Sequence, residues 1–172
     1  AIGHEILPKV RGLGVMKLYP IRRYLDPTPL GHRFESPTPV KTVQWGDFRF
    51  LRAGADIIIL ESPMSTLGWV MGTGKPICYL SQPKFPLLPD AKAAMEKAFF
   101  FFDLSDDRWK EKLVETLNLP DADIAQRWNA MKSARQAFLA DYVFGPENPG
   151  RNGAQAVIDI ANKAAATQAA GN

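Results

Sequence analysis

A short stretch of acidic and hydroxyl side chains follows an apolar run near the middle of the chain: Glu61-Ser62-Pro63-Met64-Ser65-Thr66. Ser62 is a preferred N-cap and Pro63 suits a first helical position, so a helix is predicted to begin here. The first N–H groups of a helix have no partner within it, and with the helix dipole they attract phosphate. The hydroxyls of Ser65 and Thr66 would add donors. Plain helix capping by Ser62 would produce a similar pattern, and both interpretations stay open.

The elements around this stretch predict a Rossmann-like α/β/α fold with a parallel sheet of about five strands. Continuous apolar runs and period-two alternation predict strands at 14–20, 40–45, 56–60, 76–80 and 99–102. Helical patterns lie between and after these strands, at 46–54, 64–73, 90–98 and through the C-terminal part. Ligands of such sheets bind beyond the carboxyl ends of the strands, which places residues 61–66 at the ligand edge.

The C-terminal part of the chain is predicted to be helical. Ser105 is expected to be the N-cap of one helix, with two aspartates behind it. One longer helix is expected after Pro120, on an apolar stripe of Ile124, Trp128, Met131, Phe138 and Tyr142. Residues 145–153 are expected to end it. A last helix is predicted at 154–166, with a flexible tail at 164–172.

Two apolar features could suggest chemistry but are better explained by the core. The four phenylalanines of 99–102 could form a base-stacking platform, yet a short β-prone run between a helix and a turn is typical of a core strand. Cys78, the single cysteine, lies in an apolar segment and is expected to act as a small hydrophobe. One thiol cannot form an internal disulfide, which fits a reducing compartment.

Several well-known motifs are incomplete. The segment from Gly12 contains half of a dinucleotide-binding G-x-G-x-x-G and precedes a strand instead of following one. In Gly72-Thr73-Gly74-Lys75, proline follows the lysine where a P-loop needs serine or threonine. No G-x-S-x-G hydrolase motif is present. His4 and His32 are far apart and lack ligand partners, so no metal site is predicted.

Length and composition fit one globular domain, here residues 1–172. Apolar residues make up 46% and charged residues 23% of the 172 positions, and the net charge is +3. The chain has no block of like charges, so its charge pattern does not predict a nucleic-acid partner. No apolar run is long enough to cross a membrane, and the chain begins with Ala1, which we interpret as a fragment of a longer protein.

The central stretch resembles the donor-binding half of GT-B glycosyltransferases. It is most similar to bacterial surface-polysaccharide and CDP-glycerol transferases, which carry a buried strand after Ala-Asp, an acid, a hydroxyl-rich turn, a helix and Gly-Lys-Pro. Those features match Ala55-Asp56, Glu61, Ser62, Ser65, Thr66 and Gly74-Lys75-Pro76. Weaker similarity extends to 16–20, Gly46-Asp47-Phe48 and an aromatic near Tyr142.

The resemblance implies a site and partners. Ser62, Ser65 and Thr66 with the helix amides would hold the pyrophosphate of a CDP, UDP or CMP donor, with Lys17 as a cationic contact. Glu61 and Gly46 would be further donor contacts. No metal or other cofactor is implied, and no catalytic residue is assigned. The remaining partner would be an N-terminal acceptor domain of the same protein. The full-length protein would be cytoplasmic, or peripheral at the inner face of the plasma membrane.

Two positions depart from the family pattern. Tyr19 stands where the family often has histidine, and Gly68 and Trp69 occupy places where an acid usually binds the donor's ribose or sugar. The resemblance also implies that the acceptor site and usually the catalytic base lie on the N-terminal half, so the isolated domain is predicted to be inactive. The alternative is a Rossmann-like scaffold or interaction domain without catalysis. A phosphoacceptor receiver domain is disfavoured because Glu61 stands in place of the required aspartate.

Overall fold

The computed structural model of the protein describes residues 5–17, 40–43, 47–61, 65–144 and 149–170. Within them the protein is an α/β fold with parallel strands, as predicted. The strands are β1 (Gly14–Lys17), β2 (Val40–Val43), β3 (Ile58–Leu60), β4 (Ile77–Ser81) and β5 (Phe100–Asp103). The α-helices are α1 (Phe48–Leu51), α2 (Ser65–Met71), α3 (Pro89–Ala98), α4 (Trp109–Leu117), α5 (Asp121–Ala130), α6 (Lys132–Phe138) and α7 (Pro149–Ala170). Turns of 3₁₀-helix lie at Leu7–Lys9 and Arg52–Gly54, and a π-helical segment at Leu139–Phe144.

The described strands form two parallel sheets. One contains β1 and β2, with Gly14 opposite Val40. The other has the order β3-β4-β5, with Ile58 opposite Ile77 and Cys78 opposite Phe100. Helix α2 connects β3 to β4, and α3 connects β4 to β5. The predicted single sheet of about five strands is not seen in the described ranges, where no pairing joins β2 to β3.

The central strand β4 is the most deeply buried element, because it has a neighbouring strand on each side and packed helices. All five of its residues are buried. This burial includes Cys78, which is fully enclosed and whose thiol pKa is raised to about 12 by desolvation. The interpretation of Cys78 as a small core hydrophobe is confirmed.

The phenylalanine run forms a core strand, as predicted. Phe100 and Phe102 are buried, and Phe99, just before β5, is almost fully enclosed. The Phe99 ring lies edge-on to Phe138, with 5.3 Å between centroids, and Phe100 lies 5.9 Å from Trp128. These contacts join the sheet to α5 and α6, and they use the aromatic faces that a base-stacking platform would need to expose.

The N-terminal segment is attached to the end of α4. Ile6 is fully buried in the same core. The backbone N–H of Arg11 donates to Oδ1 of Asn118 at 2.8 Å, and Nδ2 of Asn118 donates to the Lys9 carbonyl at 2.8 Å. One side chain therefore satisfies both a donor and an acceptor of a segment more than 100 residues away in sequence.

The predicted N-cap at Ser105 is wrong. Helix α4 begins at Trp109, and its N-cap is Arg108 without a side-chain cap. Ser105 lies in the preceding turn, where its hydroxyl and its backbone N–H both donate to Oδ1 of Asp103, at 2.5 and 3.0 Å. The aspartate that ends β5 competes for the serine and holds it in a turn.

The long helix expected after Pro120 is divided. Helix α5 ends before Met131, α6 follows, and the chain then continues as the π-helical segment. The apolar stripe is buried at Ile124, Trp128 and Phe138, whereas Tyr142 is exposed. The last helix begins at Pro149, within the predicted break, and its backbone is helical through Ala170.

Candidate functional site

Polar side chains follow the carboxyl ends of all three strands in the larger sheet. Glu61 comes directly after β3, Gln82 directly after β4, and Asp103 ends β5. Because the strands are parallel and adjacent, these ends lie along one edge. Nε2 of Gln82 donates to Oε2 of Glu61 at 3.2 Å, so the two neighbouring strand ends are joined by their side chains. This edge is where open parallel sheets bind ligands.

Asp103 is the centre of a network of one ion pair and two hydrogen bonds at the same edge. Nζ of Lys92, from α3, donates to its Oδ2 at 2.6 Å, and Ser105 binds Oδ1. The Lys92 hydrogen bond first, then those from Ser105, lower the pKa of Asp103 to about 2, while the pKa of Lys92 is raised by the carboxylate. The lysine also lies 5.9 Å from the centroid of Phe101. The network therefore fixes one positive and one negative charge at the end of β5.

The sequence predictions missed Gln82, Lys92 and Asp103. A usable signal for two of them was the one that identified Glu61, a polar residue directly after a buried apolar run. No comparable signal marks Lys92, which lies on an ordinary helix and reaches Asp103 only because α3 packs beside β5.

The predicted phosphate-binding hydroxyls are only partly within the described ranges. Helix α2 begins at Ser65, and Thr66 is a half-buried residue of its first turn. The described backbone thus has the predicted order of strand, Glu61 and helix. Ser62, with its predicted cap, and Pro63 lie outside the described residues.

Of the other two predicted contacts, only Lys17 lies within the described residues, and the sheet pairing does not bring it to this edge. Lys17 is half-buried at the end of β1, which belongs to the two-stranded sheet and not to the sheet that ends at Glu61. Gly46 lies outside the described residues. Its neighbour Asp47 caps α1 by accepting from the Arg49 backbone N–H at 2.8 Å, and hydrogen bonds from Arg49 lower the pKa of Asp47 to about 2.

The Gly-Lys-Pro segment has a clear structural role. Gly74 has a φ of +71°, a left-handed conformation that favours glycine. Its carbonyl accepts from Nε1 of Trp128 at 2.9 Å, and the Lys75 backbone N–H donates to the Thr73 hydroxyl at 3.2 Å. Backbone geometry at the entry to β4 is therefore enough to explain the glycine, independently of any ligand.

The positions that depart from the family pattern lie on α2. Trp69 is 47% exposed, and its carbonyl accepts from the guanidinium of Arg52. Among the described residues, and apart from the backbone of α2 itself, no atom lies within 4 Å of where a Cβ on Gly68 would be. A longer side chain at Gly68 would thus meet open space, so the helix leaves room for an acid that this sequence lacks.

Among the residues described, no group of three or more histidine, cysteine, aspartate or glutamate side chains is arranged to hold a metal ion. In the same part of the chain, no helix is both long enough and apolar enough to cross a bilayer.

Comparisons of this chain with protein-family models, with curated proteins and with solved structures gave no match.

Proposed function

We propose that this chain is the nucleotide-donor domain of a transferase. The observation that carries the proposal is the carboxyl edge of the larger sheet, where Glu61 leaves β3 beside Gln82 and α2 begins four residues later with Thr66 in its first turn. A hydroxyl and the first amides of a helix, a few residues after an oriented carboxylate, suit a ligand that carries both phosphate and sugar hydroxyls.

In this proposal the two sides of the edge have different tasks. The hydroxyl of Thr66, with Ser65, Ser62 and the first N–H groups of the helix, donates to the donor's phosphates. The Glu61 carboxylate, oriented by Gln82, accepts from a ribose or sugar hydroxyl. Fixed donors of this kind stabilise the charge that develops on a departing nucleoside phosphate, and they need no metal.

The finer parts of the proposal come from the resemblance. The transferase would be of GT-B type, with a Rossmann-like sheet, and would act in bacterial cell-surface polysaccharide synthesis on a nucleotide-sugar or CDP-alditol. Lys17 and Gly46 would complete the donor contacts. An N-terminal domain would bind the acceptor at the inner face of the plasma membrane, and the domain alone would be inactive.

A second candidate is a scaffold or interaction domain with the same fold and no donor. The observation that favours it is the pair Gly68 and Trp69, where α2 presents an empty position and an exposed indole instead of an acid. A domain that no longer binds a donor would keep the same sheet but would need no acid at this position to contact a ribose or sugar.

Nucleotide binding separates the two candidates. The thermal midpoint of the chain is measured with CDP, UDP and CMP, and a ligand at one hundred times its Kd adds about 2.7 kcal/mol of stability. For a chain of this length that corresponds to a rise of roughly 5 to 10 °C. Thr66→Val keeps the side-chain shape but removes the hydroxyl, and loss of one hydrogen bond to a charged phosphate weakens binding about 10-fold or more.

Thr116→Val is the matched control, because Thr116 donates within α4 to the Lys112 carbonyl at 2.8 Å, away from the proposed site. The donor proposal requires stabilisation by at least one nucleotide, reduced by about half or more in Thr66→Val and kept in full in Thr116→Val. Unchanged midpoints with all three nucleotides would reject the donor domain in favour of the scaffold.

A further inference from the structure

An open cleft of about 410 Å³ lies beside β5. Its floor is formed by the five consecutive residues 99–103, and its walls include Glu96 of α3 and Trp109 and Lys112 of α4. Successive side chains of a strand point to opposite faces of the sheet. A run of consecutive residues can therefore line one cleft only if the cleft follows the edge of the strand.

The backbone of β5 has hydrogen-bonding groups directed into this cleft. In the described part of the chain, β5 pairs with β4 on one side and with no strand on the other. The N–H of Leu104 donates to the Ser81 carbonyl of β4 at 2.9 Å. Because such groups alternate along a strand, the N–H groups of Phe101 and Asp103, and the carbonyl of Phe101, point away from β4.

Charge and surface chemistry restrict what the cleft can accept. Three carboxylates line it, those of Glu96, Asp103 and Asp106. Asp103 is paired with Lys92 and Asp106 with Lys112, which leaves Glu96 as the carboxylate of this lining without an ion pair among the described residues. The remaining lining is largely aromatic, so a basic and partly apolar occupant fits the cleft better than an acidic one.

We propose that this cleft is a docking groove for an extended, basic segment of a partner protein, which adds a strand to the open edge of β5. Backbone hydrogen bonds with Phe101 and Asp103 hold the segment, and a lysine or arginine on it meets Glu96. Addition of a strand to an exposed sheet edge is a general mode of peptide recognition. A docked segment of five residues paired along this edge would span about 16 Å.

The test starts from a random nonapeptide library displayed on phage and selected against the immobilised chain. Selected sequences are expected to be rich in lysine or arginine and in β-branched residues, and poor in proline. The strongest is synthesised, and its affinity is measured by fluorescence polarisation. Glu96→Lys reverses one wall charge and should weaken binding about tenfold or more.

Glu115→Lys is the matched control, because Glu115 is an exposed acid on α4 that does not line the cleft. Its affinity for the peptide should stay within about twofold of the wild-type value, since exposed charges at a distance are screened. Thermal melts establish that both variants are folded, so a loss confined to Glu96→Lys reports the groove itself.

Amide hydrogen exchange locates the bound segment. Bound peptide should slow exchange at Phe101 and Asp103 by about tenfold or more, and leave Phe102 unchanged because its N–H already pairs with β4. The proposal would be overturned if the selected peptides bind Glu96→Lys as tightly as the wild type, or if bound peptide slows amide exchange elsewhere and not at Phe101 and Asp103. Slow exchange at Phe101 without peptide, together with a dimer in sedimentation, would also overturn it by showing that a second copy covers the edge.

Discussion

Removal of the Asp103 charge should destabilise the protein, by an amount that follows from its ion pair with Lys92 and from the exposure of the two side chains. Asp103→Asn keeps the side-chain shape and one acceptor for Ser105, but loses the ion pair with Lys92. The pKa of Asp103 falls from 3.8 to about 2, and at about 1.36 kcal/mol per unit the full shift corresponds to about 2.4 kcal/mol. The two side chains are 31% and 39% exposed. Water therefore screens the pair, and we expect a loss of about 1 to 1.5 kcal/mol at pH 7.

The pH dependence identifies the carboxylate as the cause. Because the pKa of Asp103 is lower in the folded than in the unfolded state, its contribution is complete above the unfolded value near 3.8 and disappears as the pH falls through about 2. The stability difference between wild type and Asp103→Asn should be constant from about pH 7 to 5 and reduced to roughly half near pH 3.

Urea unfolding followed by tryptophan fluorescence at pH 7, 5, 4 and 3 measures this difference. Asp107→Asn makes the same chemical change at an exposed neighbouring aspartate and serves as control, with an expected effect within about 0.5 kcal/mol. The reasoning is refuted if Asp103→Asn unfolds at the wild-type urea concentration at pH 7. It is equally refuted if the difference is as large at pH 3 as at pH 7.

Three further perturbations test the core. Gly74→Ala should lower the free energy of unfolding in urea by about 1 to 2 kcal/mol, because its φ is +71° and the space around a Cβ there is open. Gly72 is equally open but has no positive φ, so Gly72→Ala should lower it by less. Equal losses in the two variants would contradict the argument. Trp128→Phe should cost about 1 to 3 kcal/mol by removing the indole donor from the Gly74 carbonyl. It should also weaken the contact of the Arg135 guanidinium, which lies 3.6 Å from the indole ring centroid, although the hydrogen bond of Arg135 to the backbone carbonyl at position 128 is kept. An unchanged urea midpoint would count against both roles. Cys78 should resist a thiol reagent at pH 8 until urea unfolds the chain, because burial raises its pKa to about 12; rapid labelling of the folded protein would disprove its enclosure.

The strands were predictable because their signal is local. Each run of apolar residues between turn-forming residues became a strand, and β4 and β5 lie within one residue of the predicted bounds at each end. Helix ends were less predictable, because local capping preferences compete with contacts formed elsewhere. Ser105 is a good N-cap by residue type, yet it binds the carboxylate at the end of β5 instead.

The candidate site shows the same division. Glu61 could be placed at the carboxyl edge from its position after an apolar run, and β3 and α2 lie on either side of it as expected. Lys17 was assigned to the same site by resemblance, whereas the described pairing puts β1 in another sheet. The predictions for Ser62 and Gly46 lie outside the described residues.

The amino-acid sequence by itself determined that this protein is built from parallel strands and helices, since apolar periodicity and turn residues act over a few neighbouring positions. Only the tertiary structure decided which strand ends share an edge. The contacts of Glu61 with Gln82 and of Lys92 with Asp103 join residues 21 and 11 positions apart. The tertiary structure also decided that one edge of β5 pairs with no strand among the described residues. Such contacts depend on how α2 and α3 pack across the sheet, and no local pattern specifies that packing.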